Sequence, residues 1–272
     1  MSLWDSTVMF LFLEVTDIPR ARQFMEDVLG LELIENRFHP PHERHGVAKY
    51  DAGNVILALN LAVNTFAREA SDGITTVFAA DPQHEARIYA RLYTAGLHPP
   101  RQPGAVFPDH DNHSYAVRST PRVSAPDSEH RVSRVTELRL AVADLKKSVA
   151  FYREVLGFPQ IEADREHAVL AAANLRFVLH RMKPQGPVRQ DGLLIVFHTP
   201  DIDEMYDTLA QRGLDFKNLT VRYSEIGGAV RFRDPTGHTF CLYEPSEESL
   251  TWESGTKVKQ LMQRLGREQT VH

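Results

Sequence analysis

The chain has 272 residues, 42% of them apolar and 25% charged, with a formal net charge of −5. It can therefore fill one large core or two modest ones and is not a disordered composition. Without a concentrated basic surface, a nucleic-acid partner is not expected. A single cysteine excludes an intrachain disulfide and fits a reducing compartment.

The first apolar run, VMFLFLEV (8–15), is too short to span a bilayer and lacks the basic start and small-residue cleavage site of a signal peptide. It is expected to be a buried strand of a soluble, cytoplasmic protein without membrane contact. The run leads to Asp17, whose carboxylate can cap a helix that buries Phe24, Val28 and Leu29, and Gly30 permits a left-handed exit. FHPPHERHG (38–46) places His39, His42 and His45 at spacings that resemble a metal tract, but its two prolines favour a solvated loop. NVILALN (54–60) is a strand, and residues 75–97 hold a strand, an amphipathic helix and a glycine stop. FPDHDNHSY (107–115) carries His110 and His113 in a turn, where Asp and Asn are expected for backbone reasons.

The chain then repeats itself. ELRLAVADLKKSVAFYREVLGFPQ (137–160) matches FLFLEVTDIPRARQFMEDVLGLEL (10–33) at one offset, pairing Asp144 with Asp17 and Phe151 with Phe24. NLRFVLH (174–180) matches NVILALN, residues 194–216 match 75–97, and DPTGHTFCL (234–242) matches DHDNHSYAV (109–117). The expected organisation is a first module at 1–118, a linker rich in Ser, Pro and charge at 119–131, a second module at 132–246 and a tail at 247–272. In the tail, TKVKQLMQRLG sets Val258, Leu261, Met262 and Leu265 on one helical face, so packing on the body or on a second subunit outranks membrane contact.

LRLAVADLKKSVAFYREVLGF and FRDPTGHTFCLYEP, with the duplication, resemble the vicinal oxygen chelate superfamily: glyoxalase I, bleomycin-resistance proteins and extradiol dioxygenases. The resemblance implies an α+β fold of paired βαβββ units, two in each half, whose mixed sheets curl around a cavity, one cavity per half. It also implies a divalent metal held by a ligand at the start of the first strand, one at the start of the strand before the second helix, and a glutamate seven residues after the Asp of the Asp-Pro-x-Gly turn. Here those positions are Glu137, Leu194 and Cys241 in the second half and Phe10, Thr75 and Ala116 in the first. The fourth strand of a unit contributes His180, opposite Asn60 in the first half. His198 lies four residues beyond Leu194, roughly 13 Å along an extended strand.

The usual metal set is thus missing from both halves. The favoured expectation is a protein that handles a small organic molecule by binding or metal-free chemistry, in a second-half pocket of Glu137, His180, Leu194 and Cys241 with His198 at the rim. Glu137 would be the general base if chemistry occurs, or would pair with an arginine or a polar ligand group. Cys241 reads as a small buried hydrophobe. The rival is a lyase or extradiol-type dioxygenase with an altered metal set, Glu137 and His180. A third class is a structural or regulatory partner-binding protein that uses the tail helix. Whether the modules pair within one chain or across a homodimer stays open.

Overall fold

The computed structural model describes residues 2–3, 6–37, 47–62, 73–100, 102, 104–119, 132, 134–181 and 192–268, of which 264–268 by backbone alone. The histidine tract at 39–45 and most of the linker lie outside the described residues. Four strand–helix units follow one another. The first is β1 (Val8–Val15), α1 (Ile18–Gln23, continued by a π-helical turn over Phe24–Val28), β2 (Glu32–Arg37), β3 (Val47–Asp51) and β4 (Ile56–Leu61). The second is β5 (Ile74–Ala80), α2 (Pro82–Thr94), β6 (Phe107–Pro108) and β7 (Ser114–Ser119). The third is β8 (Arg134–Val142), α3 (Leu145–Ala150, continued over Phe151–Val155), β9 (Gln160–Ala163), β10 (His167–Ala172) and β11 (Leu175–Arg181). The fourth is β12 (Leu193–His198), α4 (Ile202–Gln211), β13 (Arg222–Ser224), β14 (Gly227–Arg233) and β15 (Thr239–Pro245), and α5 (Gly255–Glu268) closes the chain. Among the described residues the second unit shows two strands after its helix, not the three expected. None of these helices is long and apolar enough to cross a membrane.

The caps are where the repeat places them. Asp17 accepts from the Arg20 N–H and Asp144 from the Lys147 N–H, and Gly30 and Gly157 leave the helices at φ 69° and 79°. The repeated Asp-x-x-x-His turns also match. Asp109 accepts the N–H groups of Asp111 and His113 and the Tyr115 phenol, while Asp234 accepts those of Thr236, Gly237 and His238 and the Tyr152 phenol. His113 therefore serves the turn, as its sequence context suggested.

The sheets do not follow the halves. Sheet A runs β13-β14-β15-β12-β1-β4-β3-β2 and sheet B runs β6-β7-β5-β8-β11-β10-β9. Sheet A thus joins the first unit to the fourth through an antiparallel β1–β12 seam, with Phe12 opposite Leu194. Sheet B joins the second unit to the third through β5–β8, with Thr75 opposite Arg139 and Val77 opposite Glu137. Both sheets are shared between the halves, and the modules pair within a single chain. Two asparagines from the matched strand starts lock this exchange. Asn54 accepts from Val135 N and donates to Val135 O, and Asn174 does the same to Val8, at 2.8–3.0 Å. To that strand each amide gives one donor and one acceptor, so it completes the backbone of the other half's first strand as another strand would, and its nitrogen also donates to the carbonyl of the other asparagine.

One continuous apolar cluster lies on the core faces of both sheets and takes in α1 to α4 through Phe24, Ile88, Tyr152 and Met205. Phe177 of sheet B stacks on Phe197 of sheet A at 6.1 Å and 18°. α5 instead packs on the far face of sheet A. Its Val258 and Leu261 join Met9, Phe10, Ile56, Val196 and Cys241 in a second, separate apolar cluster.

Replacing Asn54 with Ala leaves the buried Val135 N–H without its acceptor and is expected to cost about 2–3 kcal/mol, with both halves still unfolding in one transition, measured by urea denaturation. Leu261→Asp buries a carboxylate in the second cluster. It is expected to raise amide exchange through α5 while the protection of β8 and β11 is unchanged, as read by hydrogen-exchange mass spectrometry.

Candidate functional site

The strand exchange sorts the sequence-derived site residues into new groups. Alternation along each strand puts Leu11, Leu13, Leu138, Leu140, Phe177 and Leu179 on the core side, and so leaves the intervening residues on the far faces. Phe10, Asn60, Leu194, His198 and Cys241 fall on sheet A, whereas Thr75, Ala116, Glu137 and His180 fall on sheet B. The expected second-half pocket is therefore divided, because β8 and β11 belong to one sheet and β12 and β15 to the other. Asn60, the first-half equivalent of His180, stands on sheet A beside Glu14 and Val47.

On sheet A the far face is filled. Phe10 meets Tyr243 edge-on at 5.9 Å, and Phe12, Leu194 and Met262 pack around them. Burial raises the Cys241 thiol to about 11, so it stays protonated, a small apolar filler as its sequence context suggested. Polar contacts fix α5 at the margin. Lys49 Nζ lies 3.0 Å from Glu35 Oε1 and donates to Ser254 Oγ at 3.0 Å, Ser254 N donates to Glu35 Oε2 at 3.1 Å, and Lys257 reaches Asp51 at 2.6 Å. Burial would raise the Glu35 carboxyl, but the bonds from Ser254 and Lys49 outweigh it and hold it below its ordinary value. His198, opposite Tyr243, is buried with its Nε2 unpartnered, and burial lowers its pKa to about 4.

On sheet B the far face carries charge. Glu137 Oε1 accepts from Arg139 Nε at 2.7 Å and Oε2 from Arg118 Nη1 at 3.2 Å. The Glu137 side chain is 7% exposed, Arg139 19% and Arg118 55%, so the group of three deepens from rim to floor. His180 and His167 stack at 6.3 Å and 30°, and His167 lies 2.8 Å from Asp164. Burial, then Arg139 and His167, hold the His180 pKa below its ordinary value against the pull of Glu137, leaving a neutral imidazole at pH 7. Val77, Ala116, Val169 and Val178 are buried on this face yet belong to neither apolar cluster. Two clefts open beside the first turns of α1 and α3, and neither includes a residue of the sequence-derived site.

Neither face fits the implied metal. Sheet A offers Phe10, Leu194 and a protonated Cys241. On sheet B both Glu137 oxygens already accept from guanidinium groups, His180 adjoins two arginines, and Thr75 and Ala116 stand at the remaining positions. Among the described residues no group of three His, Cys, Asp or Glu converges to hold an ion. Arg118 and Arg139 were missed from sequence, although Glu137 and Arg139 alternate with Leu138 and Leu140, a period of two that sets both on one face.

His198 makes stability depend on acid. Its folded pKa near 4 lies below the ordinary 6.5, so the unfolded chain binds the proton first; its contribution is whole above about pH 6.5 and is lost as pH falls toward 4. Urea unfolding at pH 7 and pH 4.5 is expected to show that His198→Gln removes roughly 2–3 kcal/mol of the acid loss seen in the parent.

Comparison with known proteins gives one consistent family. A model of the Glyoxalase/Bleomycin resistance protein/Dioxygenase superfamily matches residues 8–112 and 132–242. The uncharacterized protein YraH of Bacillus subtilis (strain 168) is 27% identical over 125 residues, 41% of this chain and 98% of that one. Metallothiol transferase FosB of Lysinibacillus sphaericus (strain C3-41) is 28% identical over 113 residues, 40% of this chain and 80% of that one. Glyoxalase I from Zea mays superposes with a TM-score of 0.65 at 16% identity, covering 95% of this chain and 96% of that one, a likeness of fold alone.

Proposed function

The chain belongs to the glyoxalase/bleomycin resistance/dioxygenase superfamily, and from that premise we propose that it binds one small organic molecule on the far face of sheet B, through side chains and not through a metal ion. One observation carries this reading: the two far faces of a duplicated fold have diverged. Sheet A is covered by the chain's own helix, whereas sheet B presents a recessed polar group of Arg118, Glu137, Arg139 and His180 beside small apolar residues. Buried charge with unfilled hydrogen-bonding capacity is costly to keep, and a ligand that completes those bonds recovers the cost.

Should chemistry follow binding, His180 is better placed than Glu137 to move a proton. Glu137 is engaged on both oxygens, so its role is to position the arginines, while the neutral His180 ring has a nitrogen to offer. The rival metal-dependent lyase or dioxygenase gains no support from a particular residue, because the two candidate ligands face guanidinium groups.

The full chain, titrated with a panel of small carboxylic acids, amides and sugars and followed by imidazole NMR signals, is expected to yield compounds that shift His180 and His167 but not His198. A panel that perturbs His198 alone, or no histidine at all, would overturn the reading.

A further inference from the structure

Three arginines share the far face of sheet B with one internal carboxylate. Arg118 and Arg139 contact Glu137, and Arg176 stands beside Glu137 in register on β11, on the same face. A guanidinium carries five N–H donors in a planar fork. Arg139 spends its Nε on Glu137 and Arg118 one Nη, and among the described residues no further acceptor engages either. Arg139 is nonetheless only 19% exposed. A recessed cation with empty donors calls for an acceptor, and Glu137 balances one of three positive charges. Thr75, level with Arg139 across the seam, adds a hydroxyl, while Val77, Ala116 and Val178 on the same face are small and buried, so the polar groups stand over an apolar floor.

We infer that this face binds a small organic anion, a carboxylate or phosphonate on a short apolar body, gripped by the Arg139 and Arg118 forks at the place where the family resemblance implies a cation. The inference rests on the small-molecule reading above and names its ligand class. Glu137 then has two effects: it holds both forks in place, and it competes with the ligand for their donors. His180 reports the event. The charged groups that face it are Arg139 and Glu137 from β8, Arg118 from β7 and His167 from β10, with His167 in turn held by Asp164 and Glu162. An anion arriving among them raises the proton affinity of His180, so binding takes up a proton and tightens as pH falls from 7.5 to 6.

Calorimetry on the full chain with malonate, methylphosphonate, uncharged malonamide and Mn(II) tests this. Malonate or methylphosphonate is expected to bind saturably at one equivalent, and the preferred probe tells carboxylate from phosphonate. Binding is expected to weaken about tenfold or more in Arg139→Gln and Arg118→Gln, and to tighten several-fold in Glu137→Gln, where the competing charge is gone. Arg118 is half exposed, so its variant carries the test even if Arg139→Gln does not fold. Malonamide binding as tightly as malonate, with the arginine variants indifferent, would sink the anion while leaving the small-molecule reading intact. No binding by any probe, with the NMR panel equally silent, would remove both. Stoichiometric Mn(II) uptake abolished by Glu137→Gln would replace the anion with a cation.

Discussion

Two antiparallel seams, β1 against β12 and β5 against β8, govern where every other residue of this chain can act. Each seam joins a strand of one half to a strand of the other, so neither half owns a complete sheet. The reciprocal grip of Asn54 on Val135 and Asn174 on Val8 fixes the starts of β8 and β1, where an unpaired backbone would otherwise be buried. Because the seams cross the halves, equivalent positions of the two modules end on different sheets. Phe10 and Glu137 are twins by sequence, yet one sits under a helix and the other between two arginines.

The far faces show what each environment requires of its residues. On sheet A a large apolar surface would lie open without α5, and burying Val258 and Leu261 there removes it from water at about 25 cal/mol for each Å². Desolvation offsets much of the attraction of the buried Glu35–Lys49 pair, and Ser254 bonds to both of its members. On sheet B the buried apolar residues are small, and among the described residues Arg118 and Arg139 share the single carboxylate of Glu137. The twin turn aspartates diverge as well. Burial dominates at Asp109 and raises its carboxyl, whereas at Asp234 burial is outweighed by bonds from His238 and Tyr152 and the carboxyl is lowered.

Much of the fold was legible because the chain states it twice. Asp17 and Asp144, Gly30 and Gly157, and the two Asp-x-x-x-His turns follow local rules, and local rules are visible in sequence. The partner of each strand was not, since β1 and β8 carry the same alternation and either could pair within its own half. That one ambiguity misassigned the pocket, joining Glu137 and His180 to Leu194 and Cys241 across a sheet boundary. The amphipathic face of α5 was readable, but not the surface it covers, because an apolar stripe specifies burial and not a partner. Arg139 escaped notice for a different reason: an arginine on a strand reads as solvated until its neighbour Glu137 is known to point the same way.

Housing both modules in one chain also frees them from symmetry. In a pair of identical single-module subunits every substitution is written into both sites at once, so a helix that stops one also stops its mate. Here a change on one far face alters one sheet only. The covalent join thus licenses a division of labour, in which one far face turns into scaffold for a terminal helix while its sibling is free to carry a different set of side chains.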